Sequence, residues 1–226
     1  MSKRIFAATV VFAACVSFGG NARAALIITE IMSGTSHLAS PPLDWWELTN
    51  TGPGAVDLSD YSWDDDSEIA GTAVFPTGTS IAEGESLIVL QAAQADVAGW
   101  KAEWGPGVDA VQVLDVTAMG AFPGISSNGD AVFFYDDTDA LIMSAAVGPV
   151  ADPPGALGVS FEWAIDGTDL GRSVVGENGA YLAVSNGDGG AGTDIGSPGV
   201  VPEPGSALLA LLAAAGLGLG ERRRRR

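Results

Sequence analysis

Cysteine, histidine and basic side chains are nearly missing from this chain. Its 226 residues include a single cysteine, Cys15, and a single histidine, His37. A tetrahedral zinc site draws on several sulfur or imidazole ligands, and this composition cannot supply them. A Ser-His-Asp mechanism would have to use His37, which lies in the polar, proline-containing stretch 33–42 and has no Gly-x-Ser-x-Gly elbow to work with, so it reads as a loop histidine. Of the ten lysines and arginines, eight sit at the two ends: Lys3, Arg4, Arg23 and the final five arginines. Residues 25–201 hold only Lys101 and Arg172 against 26 of the 28 acids, a net charge of −24. Such a body repels phosphate backbones, which argues against nucleic acid as a partner. The glycines of 187–192 lie among Asp188 and Asp194 and lack the lysine of a phosphate-binding loop.

Both ends carry targeting patterns. Lys3-Arg4, an apolar run over residues 5–18 and the small-x-small site Ala22-Arg23-Ala24 make residues 1–24 a signal peptide. Phe12-Ala13-Ala14-Cys15 loosely resembles a lipoprotein box, but Phe12 stands where leucine is usual. The later site directly precedes the first domain-like residues, so signal peptidase is expected to cut at Ala24 or Ala25 and leave a mature chain without cysteine. At the other end, residues 200–226 contain Pro202-Glu203-Pro204, an uncharged Leu/Ala/Gly stretch over 205–220, then Glu221 and Arg222, Arg223, Arg224, Arg225 and Arg226. As a helix, the stretch is about 24 Å long, short of the ~30 Å hydrocarbon core, and it spans only where the bilayer thins. The arginines belong on the cytoplasmic side. This order of parts resembles the PEP-CTERM sorting signal. The resemblance implies that an exosortase reads Pro202, Glu203 and Pro204. It also implies that the transmembrane helix and its Arg tail are held in the inner membrane transiently, before the domain reaches the cell surface or extracellular space.

Residues 25–199 are read as one all-β domain. Short β-prone runs begin at Leu26, Trp45, Ala73, Ser86, Val111, Ala131, Leu141, Ser160 and Tyr181, separated by turns such as Asn50-Thr51-Gly52-Pro53 and Asn128-Gly129-Asp130. Many short strands between such turns point to a β-sandwich. In the second run, alternation places Trp46 and Leu48 on one face and Trp45, Glu47 and Thr49 on the other. Val97, Trp100 and Trp104 recur at helical spacing before Gly105-Pro106, which predicts one short amphipathic helix with its tryptophans in the core.

Asp44, Trp45, Glu47 and Asn50 match a D-W-x-E-L-x-N pattern, and Val56, Asp57, Leu58 and Ser59 match the strand that follows it. Together with residues 27–32 and 75–91, and downstream 100–114, 125–137 and 194–199, these segments resemble the lamin tail domain. The resemblance implies an immunoglobulin-like β-sandwich that serves as a structural or interaction module. Residues 139–143 stand where an Asp-Gly hairpin is usual, and residues 150–186 are expected to add edge strands or loops.

The acids themselves remain to be weighed. Spread evenly over a body of this size, 26 carboxylates would stand on the order of 14 Å apart, beyond the ~8 Å Debye length, so only local clusters call for counter-ions. Two clusters could offer oxygen ligands to calcium: Asp64-Asp65-Asp66 with Glu68, and Asn186, Asp188 and Asp194. Neither has EF-hand spacing, and both are read as solvated acidic turns without a cofactor. Paired carboxylates also suit a secreted, polysaccharide-acting hydrolase, although so many acids make any single pair undiagnostic. The expected function is therefore an exported, non-enzymatic surface or matrix module, with extracellular polysaccharide or surface proteins as partners. The alternatives are a carboxylate hydrolase and a calcium-dependent adhesion module.

Overall fold

The computed structural model describes residues 26–34, 44–93, 96–149, 157–186 and 190–200. The expected signal peptide, Cys15, His37, Asp188, the Pro202-Glu203-Pro204 motif and the five terminal arginines lie outside the described residues. In chain order the strands are β1 (Leu26–Met32), β2 (Trp45–Asn50), β3 (Val56–Asp57), β4 (Ser62–Asp64), β5 (Ala73–Val74), β6 (Ser80–Ile81) and β7 (Ser86–Leu90). After helix α1 (Val97–Trp104) come β8 (Gln112–Asp115), β9 (Asp130–Tyr135), β10 (Leu141–Val147), β11 (Phe161–Trp163), β12 (Asp169–Arg172), β13 (Tyr181–Leu182) and β14 (Ile195–Gly196).

Two sheets make the sandwich. One has six strands in the order β12-β11-β1-β2-β7-β8, and the other has four in the order β10-β9-β4-β5. Every pair in them is antiparallel except β7 with β8. A parallel pair cannot be closed by a hairpin; the chain must cross over a sheet face to return. Here the crossover is α1, and it covers the face of the six-stranded sheet turned away from the second sheet. The expected helix therefore forms, with Trp100 and Trp104 buried, and the six-stranded sheet is covered on both sides.

β2 shows the consequence most clearly, since all six of its residues are buried. Trp46, Leu48, Leu87 and Val89 point into the core between the sheets, where Trp46 lies 5.4 Å from Trp63 and 6.1 Å from Phe134, ring centre to ring centre. Trp45, Ile88 and Leu90 point the other way, where Trp45 meets Trp100 at 5.7 Å and Trp104 at 5.6 Å, both edge to face. The alternation expected for this strand holds, but both of its faces are interior.

β1 departs from strict alternation. Ile28 stands opposite Leu48 and Glu30 opposite Glu47, so Thr29 is an extra residue and the strand bulges there. The bulge keeps Ile28 and Ile31 in the core between the sheets and moves Glu30 to the α1 side with Met32. The region after residue 150 adds strands at one edge of the six-stranded sheet, as expected. β11 pairs directly with β1, with Glu162 opposite Glu30, and β12 extends the sheet beyond it.

The β9–β10 hairpin closes through residues 136–140, with the Asp136 carboxylate accepting from the Thr138 and Ala140 amides, both at 2.9 Å. Asp139 there adopts φ +63°, the left-handed conformation that glycine takes without a Cβ penalty. Asp139→Gly is expected to match or exceed the native stability. Asp139→Val, a β-branched residue forced to positive φ, should lose roughly 1–3 kcal/mol in denaturant melts.

Candidate functional site

Three glutamates on three adjacent strands form the strongest polar feature. Glu47 of β2, Glu30 of β1 and Glu162 of β11 stand side by side in register on the α1 face of the six-stranded sheet. All three are at most 1% exposed. The bulge at Thr29 brings Glu30 into this row, and the pairing of β11 with β1 adds Glu162.

No cation appears among the groups acting on Glu30 or Glu47; hydroxyls and amides hold the row instead. Glu47 accepts from the Thr29 hydroxyl at 2.6 Å and the Gly199 amide at 2.5 Å. Glu30 accepts from the Ser160 hydroxyl at 2.5 Å and the Ser197 amide at 2.7 Å. Glu162 accepts from the Ser173 hydroxyl at 2.7 Å and the Asn178 amide group at 3.2 Å. The Ser197 oxygen lies 3.1 Å from carboxyl oxygens of both Glu30 and Glu162. A hydroxyl has one hydrogen, so it donates to one of these and needs a proton on the other to complete the second bond.

Burial dominates the electrostatics. It raises the Glu30 carboxyl well above its usual value, and neighbouring Glu47 adds to the rise. It raises Glu47 to about 7, against the hydrogen bonds from Thr29 and Gly199. On α1, burial and the neighbouring Asp194 carboxyl, which shares a hydrogen bond with it, raise Glu103 to about 8. Tyr181 is pushed up to about 12 by burial and by the glutamates Glu30 and Glu47.

A second acidic feature is open to solvent. A cleft of about 370 Å³ is lined by Asp44, Asp65, Asp66, Ser126 and Asp130, among others. Burial raises Asp44 to about 7 despite a hydrogen bond from the Gly34 amide. Asp130 stitches the cleft walls together, accepting from the amides of Ser126 at 2.5 Å, Ala131 at 2.8 Å and Asp66 at 3.2 Å.

The calcium candidates read from the sequence are scattered by the fold. Asp66 faces the cleft, and Glu68 sits in the adjoining turn at φ +58°. Asp64 is not a solvated turn residue: it is 1% exposed and accepts from the Ser67 hydroxyl at 2.5 Å and the Ile69 amide at 2.7 Å. Asp194 is fully buried against Glu103, so solvation is the wrong reading for it too. Asp64 is interior because it ends a strand of the sandwich, and Asp194 because the chain runs back across α1. Among the described residues, no group of three or more histidines, cysteines or acids is placed to hold a metal.

The family model of the lamin tail domain matches residues 20–149, more than half of the chain. This chain belongs to the lamin tail domain family. No curated protein and no solved structure matches it. Within the lamin tail domain, the D-W-x-E-L-x-N residues now have separate roles. Asp44 lines the cleft, Trp45 anchors the core under α1 and Glu47 joins the buried row. Asn50 donates to the Gly54 and Ile81 carbonyls and accepts from the Gly52 amide, which ties the turn after β2 to β6. Glu162 and the residues that cover the row lie beyond the matched region.

These groups set the pH dependence of folding. The Glu47 carboxyl holds its proton more tightly folded, at about 7, than at its ordinary 4.5, so deprotonation favours the unfolded chain. Its stabilising contribution is whole below about 4.5 and lost as pH rises through about 7, a change on the order of 3 kcal/mol. Glu30, Asp44 and Glu103 act in the same sense. Exposed Asp57, Asp136 and Asp166 act oppositely: hydrogen bonds to Ser59, Thr138 and Thr168 lower them, and their contribution is lost as pH falls. Denaturant melts should give maximal stability near about pH 5 and a steady loss toward pH 8, with Glu47→Gln flattening that slope. In thermal melts at matched ionic strength, calcium chloride should stabilise no more than sodium chloride. An ion held only by the folded state at a hundred times its Kd would instead add about 2.7 kcal/mol, and Asp66→Asn with Asp130→Asn would remove that gain.

Proposed function

We propose that this lamin tail domain protein is an exported, non-catalytic structural or binding module of the cell surface or extracellular matrix. Residues 1–24 direct export and residues 200–226 are the sorting segment, in which Pro202, Glu203 and Pro204 are read by an exosortase. The observation that carries the reading is the orientation of the domain's strongest polar constellation. Glu30, Glu47 and Glu162 are spent on the protein's own backbone and hydroxyls, shielded from any substrate. The net charge of −24 over residues 25–201 suits a partner that is neutral or basic, such as a neutral polysaccharide or a basic surface protein. Function has to be argued from a site, and the open acidic cleft is the surface on which binding is expected to concentrate.

Peptide mass spectrometry of the exported protein should find a mature N-terminus at Ala25 or Leu26 without lipid, and a C-terminus near Pro202. Changing Pro202 and Pro204 to Ala should leave an unprocessed form in the membrane fraction. Processing of that variant like the native chain would contradict the sorting reading. Incubated with the producing cell's extracellular polysaccharide, the protein should co-sediment with the polymer and release no reducing ends. Release that Asp65→Asn or Asp130→Asn abolishes would make the protein a hydrolase.

A further inference from the structure

We propose that residues 197–200 are a proton-controlled strap, docked across Glu30, Glu47 and Glu162 while Glu30 and Glu47 keep their protons and lifted from them at alkaline pH with the sandwich still folded. The attachment of the strap is the first ground. After β14, which pairs with the two residues of β13 and bridges Val159 through Ile195, the hydrogen bonds tying residues 197–200 to the rest of the described chain go to the three glutamates. The Val200 amide turns back to the Ser197 carbonyl, within the strap. Ile195, just upstream, is held differently, by backbone bonds to Gly158 and Ser160. The carboxyl-dependent part therefore begins at Ser197.

Close packing is the second ground. A Cβ on Gly196 would come within 2.6 Å of a Glu30 carboxyl oxygen and 3.0 Å of the Trp104 ring, and one on Gly199 within 2.4 Å of Val111. The strap meets the row directly, through the Ser197 amide on Glu30 at 2.7 Å and the Gly199 amide on Glu47 at 2.5 Å. Among the described residues no counter-ion acts on Glu30 or Glu47, and the Ser197 hydroxyl cannot donate to Glu30 and Glu162 together.

The charged and titratable surroundings offer no relief. Lys101 of α1 donates to the carbonyls of Asp109 and Val111. Arg172 of β12 donates to those of Val159 and Pro149 and lies over the Phe161 ring. Tyr181 of β13, raised to about 12, stays neutral throughout. Glu103 of α1 shares a hydrogen bond with Asp194, at the base of the strap, and adds a second acidic pair rather than a cation. Among the described residues no cation acts on Glu30 or Glu47, so when these two lose their protons they must be hydrated, and the described segment that yields is the one with fewest bonds. β1 is hydrogen-bonded on both sides by β2 and β11 and stays in place, whereas the strap is a few residues at the end of the domain.

Hydrogen exchange of the full-length chain, followed by mass spectrometry from pH 6 to pH 9 and corrected for intrinsic rates, tests this. Protection in a peptide covering residues 194–200 should fall at least tenfold over that range, while peptides from β2 and β7 keep theirs. Glu47→Gln, which retains an acceptor for the Gly199 amide but cannot ionise, should move the loss to higher pH. Equal strap protection at pH 6 and pH 9 overturns the proposal, as does a loss shared with β2 and β7, which would be global unfolding. The comparison within the native chain stands even if the variant fails to fold.

Discussion

Covering the six-stranded sheet on both faces is the constraint from which the rest of this structure follows. The parallel pairing of β7 with β8 obliges the chain to cross that face as α1, and Trp45 then packs beneath Trp100 and Trp104 while Trp46 packs the opposite way. Once neither face of β2 is solvent, the polar residues its alternation assigns to the α1 side have nowhere wet to go. Glu47 and Thr49 become interior groups, and so do their cross-strand neighbours Glu30 and Glu162. Among the described residues no cation acts on Glu30 or Glu47. Serine and threonine hydroxyls, backbone amides and retained protons take the place of salt bridges.

That substitution has a physical logic. A buried ion pair must offset the desolvation of two charges, whereas a protonated carboxyl avoids that cost and still donates one hydrogen bond and accepts others. The arrangement is stable only while the proton stays, so it couples the interior to the acidity of the surroundings in a way that an Arg–Glu pair would not. The outer acids behave differently. Asp57, Asp136 and Asp166 are charged, exposed and locally hydrogen-bonded, and each shapes a turn. The same residue types thus serve as proton carriers inside and as turn formers outside.

The longer strands and the helix were legible from where their large apolar residues fall: Trp46 and Leu48 share one face of the second strand, and Val97, Trp100 and Trp104 recur at helical spacing. The D-W-x-E-L-x-N residues pointed correctly to the family. The glutamate row was not legible, for two reasons. Strict alternation along β1 keeps Ile28 and Glu30 on one face, and the extra residue at Thr29 that separates them has no signature in composition. The third member comes from a strand about 130 residues later, and such pairing is a property of topology rather than of local sequence. Asp64 and Asp194 were misread for a related reason: an acid beside turn residues looks solvated until the chain that covers it is known.

The order of contacts along the last described residues also determines how the domain meets mechanical load. Tension entering from the C-terminal side reaches the Gly199–Glu47 bond first, then the contacts of Ser197 with Glu30 and Glu162, and only then the backbone bonds of Ile195 and the β13–β14 pair. Bonds loaded one after another rupture singly, each rupture paying out a little slack before the next is strained. Tension entering from the other side meets β1, whose hydrogen bonds to β2 and β11 resist together. Among the described residues, the C-terminal side is thus held by bonds that load in turn and the N-terminal side by bonds that load together.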